Sequence, residues 1–210
     1  MVGPRRSACA LAVAGLLLAP VVARAHEPAA PTGAGLRTST PSLAVIRAAP
    51  DFTLRDVDGQ PMQLSDLRGH VVLLAFVYTK CPAACPLVTQ RMALLQQRLV
   101  RARAFPARVN LLSVTVDPER DTPAVLAHYA QAFSADPNGW HFLREEPQRL
   151  RPVLAAWDEW TQPLPGGEID HPARIHLIDA RGRVREIYSL ALFDERQAFL
   201  DIQALLRERS

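Results

Sequence analysis

Cysteine is scarce in this sequence: Cys9, Cys81 and Cys85 are the three in 210 residues. Charge imbalance is slight too, with 24 Lys and Arg against 21 Asp and Glu. Three of the basic residues, Arg5, Arg6 and Arg24, precede the first acidic one, Glu27. They bracket an apolar run over residues 8–22, followed by Ala23-Arg24-Ala25. A basic start, a short apolar core and small residues before the cut make residues 1–25 a secretory signal peptide. An uncleaved membrane anchor is the alternative, but the run is short for a span and Pro20 interrupts it. No lipidation-type apolar box precedes Cys9, which leaves with the signal. The chain beyond it carries 21 basic and 21 acidic residues. Nucleic-acid binding therefore loses its electrostatic support, and no nucleic-acid partner is expected. The expected location is periplasmic or otherwise extracytoplasmic, with membrane contact only through an uncleaved anchor or a membrane-bound partner. In that setting two lone, closely spaced cysteines are a disulfide, a metal site, or both by turns.

Internal repeats are absent as well. Residues 26–49 are rich in Ala, Pro, Thr, Ser and Gly without periodicity, which reads as a flexible tether. Residues 50–210 are the right size for one domain with a single core. Asp58-Gly59 between residues 51–54 and 61–64 signals an N-terminal β-hairpin. Residues 71–78 form an apolar, β-branched and aromatic run, the pattern of a strand buried on both faces. Residues 109–116 repeat that pattern. A helix from Asp121 or Thr122 and Pro123 to about Phe133 follows, then a short strand at 140–143. Pro147 opens another helix to about Trp157. The segment 161–167 is Pro/Gly-rich and reads as mobile. Residues 174–179 and 184–189 form a hairpin, and an amphipathic helix over 194–207 turns Phe199, Ile202 and Leu206 inward. Strand–helix–strand crossovers imply a parallel core, to which the late hairpin adds antiparallel strands. The expected fold is α/β and thioredoxin-like, a mixed central sheet with helices on both faces.

The stretch that organises the chain is Tyr78-Thr79-Lys80-Cys81-Pro82-Ala83-Ala84-Cys85-Pro86. Val88, Met92, Leu95 and Leu99 then recur at helical spacing, so the cysteines lie between a core strand and its helix. Pro86 suits the first helical position, and Cys81 and Cys85 belong in or just before the first turn. Thiolate is favoured there, near the positive end of a helix and beside Lys80. Three readings compete. As core residues the cysteines would be small hydrophobes, which the prolines and the strand-end position oppose. As a structural disulfide they would close a very small loop and stabilise it modestly. As a functional dithiol they exchange electrons or hold a soft metal.

His171 is the third candidate. In a thioredoxin-like fold the loop before the strand at 174 faces the cysteine helix, so its imidazole can complete a Cys2His set, with Asp170 orienting it. His70, His128, His141 and His176 read as packing or surface residues. His26 would combine an α-amine with an imidazole after cleavage. Asp121 reads as a helix cap, and Asp117 as a residue that shapes the site or a partner surface.

The cysteine motif, then Ser113-Val114-Thr115-Val116-Asp117-Pro118-Glu119-Arg120-Asp121-Thr122-Pro123, then Asp170-His171 before Leu177-Ile178-Asp179, resemble the SCO/SenC family. The resemblance covers about residues 50–208. It implies an exported, thioredoxin-fold copper chaperone that helps assemble the dinuclear copper centre of cytochrome c oxidase, with Cys81, Cys85 and His171 as ligands of Cu(I) and Cu(II). The implied partner is the copper-bearing oxidase subunit or another copper chaperone. Ala83 and Ala84 stand where the family often has an acidic residue, Lys80 replaces a common polar or histidine residue, and Pro172 is unusual. Two soft thiolates and one imidazole suit Cu(I) and still hold Cu(II), and oxidation to a disulfide would eject the metal. Such a carrier is not an enzyme in the turnover sense. A thiol–disulfide oxidoreductase that keeps oxidase cysteines reduced needs Cys81 and Cys85 but not His171. A thiol peroxidase needs a threonine and arginine environment that is not evident around Cys81.

Overall fold

The structure is a computed structural model, and it describes Gly3 and residues 43–208. The signal segment, His26 and most of the tether lie outside the described residues.

The chain enters through a two-residue strand, β1 (Arg47–Ala48), and a hairpin of β2 (Thr53–Arg55) and β3 (Pro61–Gln63). Gly59 takes the turn at φ 79°, a conformation a Cβ would strain. Next come β4 (Val71–Val77), α1 (Ala84–Arg101), β5 (Val109–Thr115), α2 (Pro123–Ala132), β6 (Trp140–Leu143) and α3 (Pro147–Ala156). A small hairpin follows, β7 (Gln162–Pro163) with β8 (Ile169–Asp170), then β9 (Arg174–Ile178), β10 (Arg183–Ser189) and α4 (Glu195–Arg207). Six strands form one mixed sheet in the order β1-β10-β9-β4-β5-β6. Strands β4, β5 and β6 are parallel, while β9, β10 and β1 add antiparallel pairings.

Every residue of β4 and β5 is buried, as expected of central strands covered on both faces. Met92, Leu95 and Leu99 of α1 are fully buried and Val88 nearly so. This stripe seats α1 on the core, and α1 also packs along α4. Trp157, closing α3, meets Phe76 of β4, His176 of β9 and Phe52 of the first hairpin at ring distances of 6.2, 4.9 and 6.4 Å.

Four details differ from the sequence reading. Arg47 and Ala48, assigned to the tether, pair with Val184 and Arg183 at the sheet edge. The helix after the cysteines begins at Ala84, so Pro86 is its third residue rather than its first. Proline is tolerated there because the first four N–H groups of a helix have no intrahelical partner. The segment 161–167, given no strand by the sequence, supplies β7 and the turn into β8. The buried face of α4 is Ala198, Ile202 and Leu205, while Phe199 and Leu206 sit half-buried at its margins.

Candidate metal and dithiol centre

Strand β4 ends at Val77, and the chain turns through Tyr78–Ala83 into α1. The helix lacks a capping side chain: Ala83 holds the N-cap position and makes no cap hydrogen bond. Cys81 takes over that task, because its Sγ accepts the backbone N–H of Cys85 at 3.2 Å. Orphan first-turn N–H groups stabilise negative charge. The Cys81 thiol is accordingly pulled down to about 5 by hydrogen bonds from the Cys85 thiol and from the backbone at Cys85, Ala83 and Ala84. Burial opposes the shift without cancelling it. Cys85 is moved the other way. The neighbouring Cys81 sulfur and its own burial push its thiol well above the ordinary range. Both cysteines are free, Cys81 partly exposed and Cys85 buried. The pair therefore consists of one ready thiolate and one protonated sulfur behind it.

The loop is braced from behind by Asp121, which is fully buried. Its carboxylate accepts from Thr79 N at 3.2 Å, from the Thr79 hydroxyl at 2.5 Å and from the Thr115 hydroxyl at 2.5 Å. Asp121 is therefore not the helix cap the sequence suggested. Thr122 caps α2, accepting from Val125 N at 3.4 Å. Asp121 instead ties the start of the cysteine loop to the end of β5. Asp117, four residues earlier, pairs with Arg120, and Arg120 in turn donates to the carbonyl of Gly167 in the β7–β8 turn.

His171 follows β8 directly. Its side chain is nearly buried, 4% exposed, and its ring lies 5.9 Å from that of Tyr78. The Tyr78 hydroxyl accepts from Ile169 N at 3.2 Å, and Tyr78 O accepts from Cys81 N at 3.4 Å. One tyrosine thus links the cysteine loop to the histidine strand. Ala173, two residues past His171, lines a narrow cleft with Cys85, Val88 and Phe76. The imidazole is not gathered onto the sulfurs, however. Its Nδ1 faces Glu159 Oε2 at 3.5 Å and Ala173 N at 3.2 Å. Among the described residues no three His, Cys, Asp or Glu side chains form a ready ligand cluster.

The carboxylate beside His171 is Glu159, which is buried, and not Asp170, which is exposed in β8. No spacing rule connects Glu159 to His171 twelve residues later; a carboxylate just past a helix end, beside apolar Trp157 and Trp160, is the only local hint. His176 is the packing residue expected, with burial pulling its imidazole down to about 4. His128 is exposed, while His70 and His141 are partly buried away from the cysteines.

A mixed sheet with a two-cysteine loop where a core strand meets its helix defines a thioredoxin-like dithiol protein. Solved structures agree. The SCO1/SenC family lipoprotein of Bacillus anthracis str. Ames superimposes with a TM-score of 0.69 at 26% identity, over 77% of this chain and 96% of that one. ScoI of Bradyrhizobium japonicum, solved with copper bound, does so with a TM-score of 0.66 at 27% identity, over 75% and 99%. Residues 42–207 match the SCO1/SenC family, and the chain belongs to it. In sequence it is 32% identical over 146 residues to the mitochondrial SCO2 homolog of Bos taurus, covering 67% of this chain. That match spans about half of the bovine protein, 53% of its length.

Proposed function

We propose that the protein is a copper-binding metallochaperone that delivers copper to the dinuclear copper centre of cytochrome c oxidase during its assembly. The observation that carries the reading is the pair of free sulfurs at the start of α1, Cys81 accepting the Cys85 N–H at 3.2 Å. Copper is the cargo. Thiolate sulfurs are soft donors matched to Cu(I), and the second thiol gives up its proton when metal binds. His171 supplies a nitrogen, which Cu(II) needs more than Cu(I) does. Its loop lies beside the cysteines, since Ala173 and Cys85 line one cleft and Tyr78 touches both the His171 ring and the cysteine loop. The copper-bound state of Bradyrhizobium ScoI supports the same cargo. An extracytoplasmic location belongs to the proposal, supported by the basic, apolar N-terminus and by the lipoprotein relative. No described helix is long and apolar enough to cross a membrane.

One feature favours a second reading, a thiol–disulfide oxidoreductase: the two thiols are unequal. A Cys81 thiolate would attack a partner disulfide. Cys85 would then lose its proton, displace the partner as a dithiol and leave a Cys81–Cys85 disulfide. Copper titration of the reduced protein and of His171→Ala, with oxidase copper loading and reduction of a model disulfide measured in parallel, separates the readings. The chaperone reading expects His171→Ala to lose most Cu(II) binding and oxidase loading while still reducing the disulfide. Normal oxidase loading by that variant would favour the oxidoreductase.

A further inference from the structure

Helix α3 ends in a reversal that aims a carboxylate inward. Asp158 sits in the left-handed region at φ 57°. Glu159 N donates back to Leu154 O at 2.9 Å and Asp158 N to Ala155 O at 3.2 Å. This paired closure usually turns an apolar residue onto the helix at the position Glu159 occupies. Here the residue is a carboxylate with a side chain 0% exposed. A buried carboxylate without donors is costly, and His171 is its only side-chain partner among the described residues. The other donor is Arg174 N, at 3.4 Å from Oε1.

Two groups compete for His171 Nδ1. Ala173 N–H, at 3.2 Å, requires a bare Nδ1; Glu159 Oε2, at 3.5 Å, requires a protonated one. The amide contact is the shorter, but without the Nδ1 proton Glu159 Oε2 has no side-chain donor among the described residues, which is costly for a buried carboxylate. A bare Nδ1 would also set two lone pairs against each other.

We propose that Glu159 accepts the Nδ1 proton of His171, locking the neutral ring in the Nδ1–H tautomer with Nε2 as its open donor nitrogen. Glu159 is a positioning residue: it touches the histidine and not the cargo. Its consequence for copper rests on the reading of His171 as a ligand. A carboxylate behind a ligating imidazole holds the ring's orientation and raises its basicity. Removing it leaves the Ala173 N–H as the neighbour of Nδ1, which favours the opposite tautomer and turns the lone pair away from Nε2.

The test reads the nitrogen shifts of His171 in the reduced, copper-free protein at neutral pH, and then in Glu159→Met. Methionine suits the apolar position at this helix end, so the variant is expected to fold. Wild type should show a protonated Nδ1 and a bare Nε2, and Glu159→Met the reverse. Cu(II) affinity should fall about 10- to 100-fold in the variant, with Cu(I) affinity kept by the sulfurs. A wild-type ring protonated on Nε2, or a tautomer unchanged in Glu159→Met, would overturn the proposal, and the wild-type spectrum decides even without the variant. If the tautomer switches but neither protein takes up copper, the hold of Glu159 on the ring stands and the copper reading falls.

Discussion

The two halves of the candidate centre are built differently. The sulfurs ride on α1, an 18-residue helix whose inner stripe is buried in the core, and on a loop tied to β5 by Asp121. The imidazole hangs from β8, two residues long and paired only with β7, at the mouth of a turn whose residues are exposed. Apart from Ile169, which packs at the core's margin, and the Tyr78–His171 ring contact, that side is held by polar links: Arg120 to Gly167, Tyr78 to Ile169, and Glu159 to His171. A rigid half and a polar-tethered half suit a carrier. On the proposed copper-carrier reading, the first would fix what the metal is offered, and the second would set how completely it is enclosed. Damage to the first half should therefore cost binding or folding outright, whereas damage to the second should change the metal's surroundings and leave the fold intact.

The strongest expected effect is on the sulfurs. Cys85→Ser should weaken Cu(I) binding by more than ~100-fold, because a hydroxyl is a hard, poorly ionised replacement for a soft thiolate. Competition with a Cu(I) chelator measures it, and unchanged affinity would remove the dithiolate site. Next is the scaffold under them. Leu95→Ala should destabilise the protein by about 2–5 kcal/mol, since Leu95 is wholly buried beneath α1. Urea unfolding reads this, and a loss under half a kcal/mol would contradict the rigid seat assigned to the helix.

How far this contrast was legible beforehand follows the same division. Val71 to Val77 and the stripe Val88, Met92, Leu95 and Leu99 announce themselves because burial imposes a period on neighbouring residues. The short pieces do not. Arg47–Ala48 and β7 are strands of two residues, too short for any period, and they exist through backbone pairing to partners far along the chain. Asp121 precedes a proline-led helix and so resembles a cap, yet its carboxylate serves Thr79, 42 residues earlier. Glu159 and His171 meet only because α3 reverses at Asp158. Residue type alone nominates Cys81, Cys85 and His171 as candidates; the side chains that brace and orient them, Asp121 and Glu159, are set by tertiary contacts.

The thiols offer a pH-resolved comparison. With the Cys81 thiol near 5, its thiolate predominates above that pH and is lost below it. Alkylation of the reduced, metal-free protein should thus rise through about pH 5 at Cys81 and level off by neutrality. In the unfolded chain the rise should come near the ordinary thiol value of about 8.5. Cys85, buried and shifted upward, should stay unmodified across that range. Equal labelling of both cysteines at pH 6, followed by peptide mass analysis, would contradict the asymmetry.

The smallest effect belongs to the polar-tethered side. Arg120→Ala should change global stability by no more than about 1 kcal/mol, the usual worth of a partly exposed ion pair. Amide exchange should nevertheless quicken in the β7–β8 turn and around His171, and stay unchanged in β4 and α1. Exchange that quickens equally in both halves would mean that they are one unit.

The most direct measurement is X-ray absorption at the copper edge of the reduced, copper-loaded protein, in wild type and His171→Ala. The account predicts two sulfur scatterers and one imidazole nitrogen in wild type, with both sulfurs retained and the imidazole lost in the variant. A wild-type centre with fewer than two sulfurs, or an imidazole signal that survives His171→Ala, would contradict the assignment of Cys81, Cys85 and His171 as the copper site.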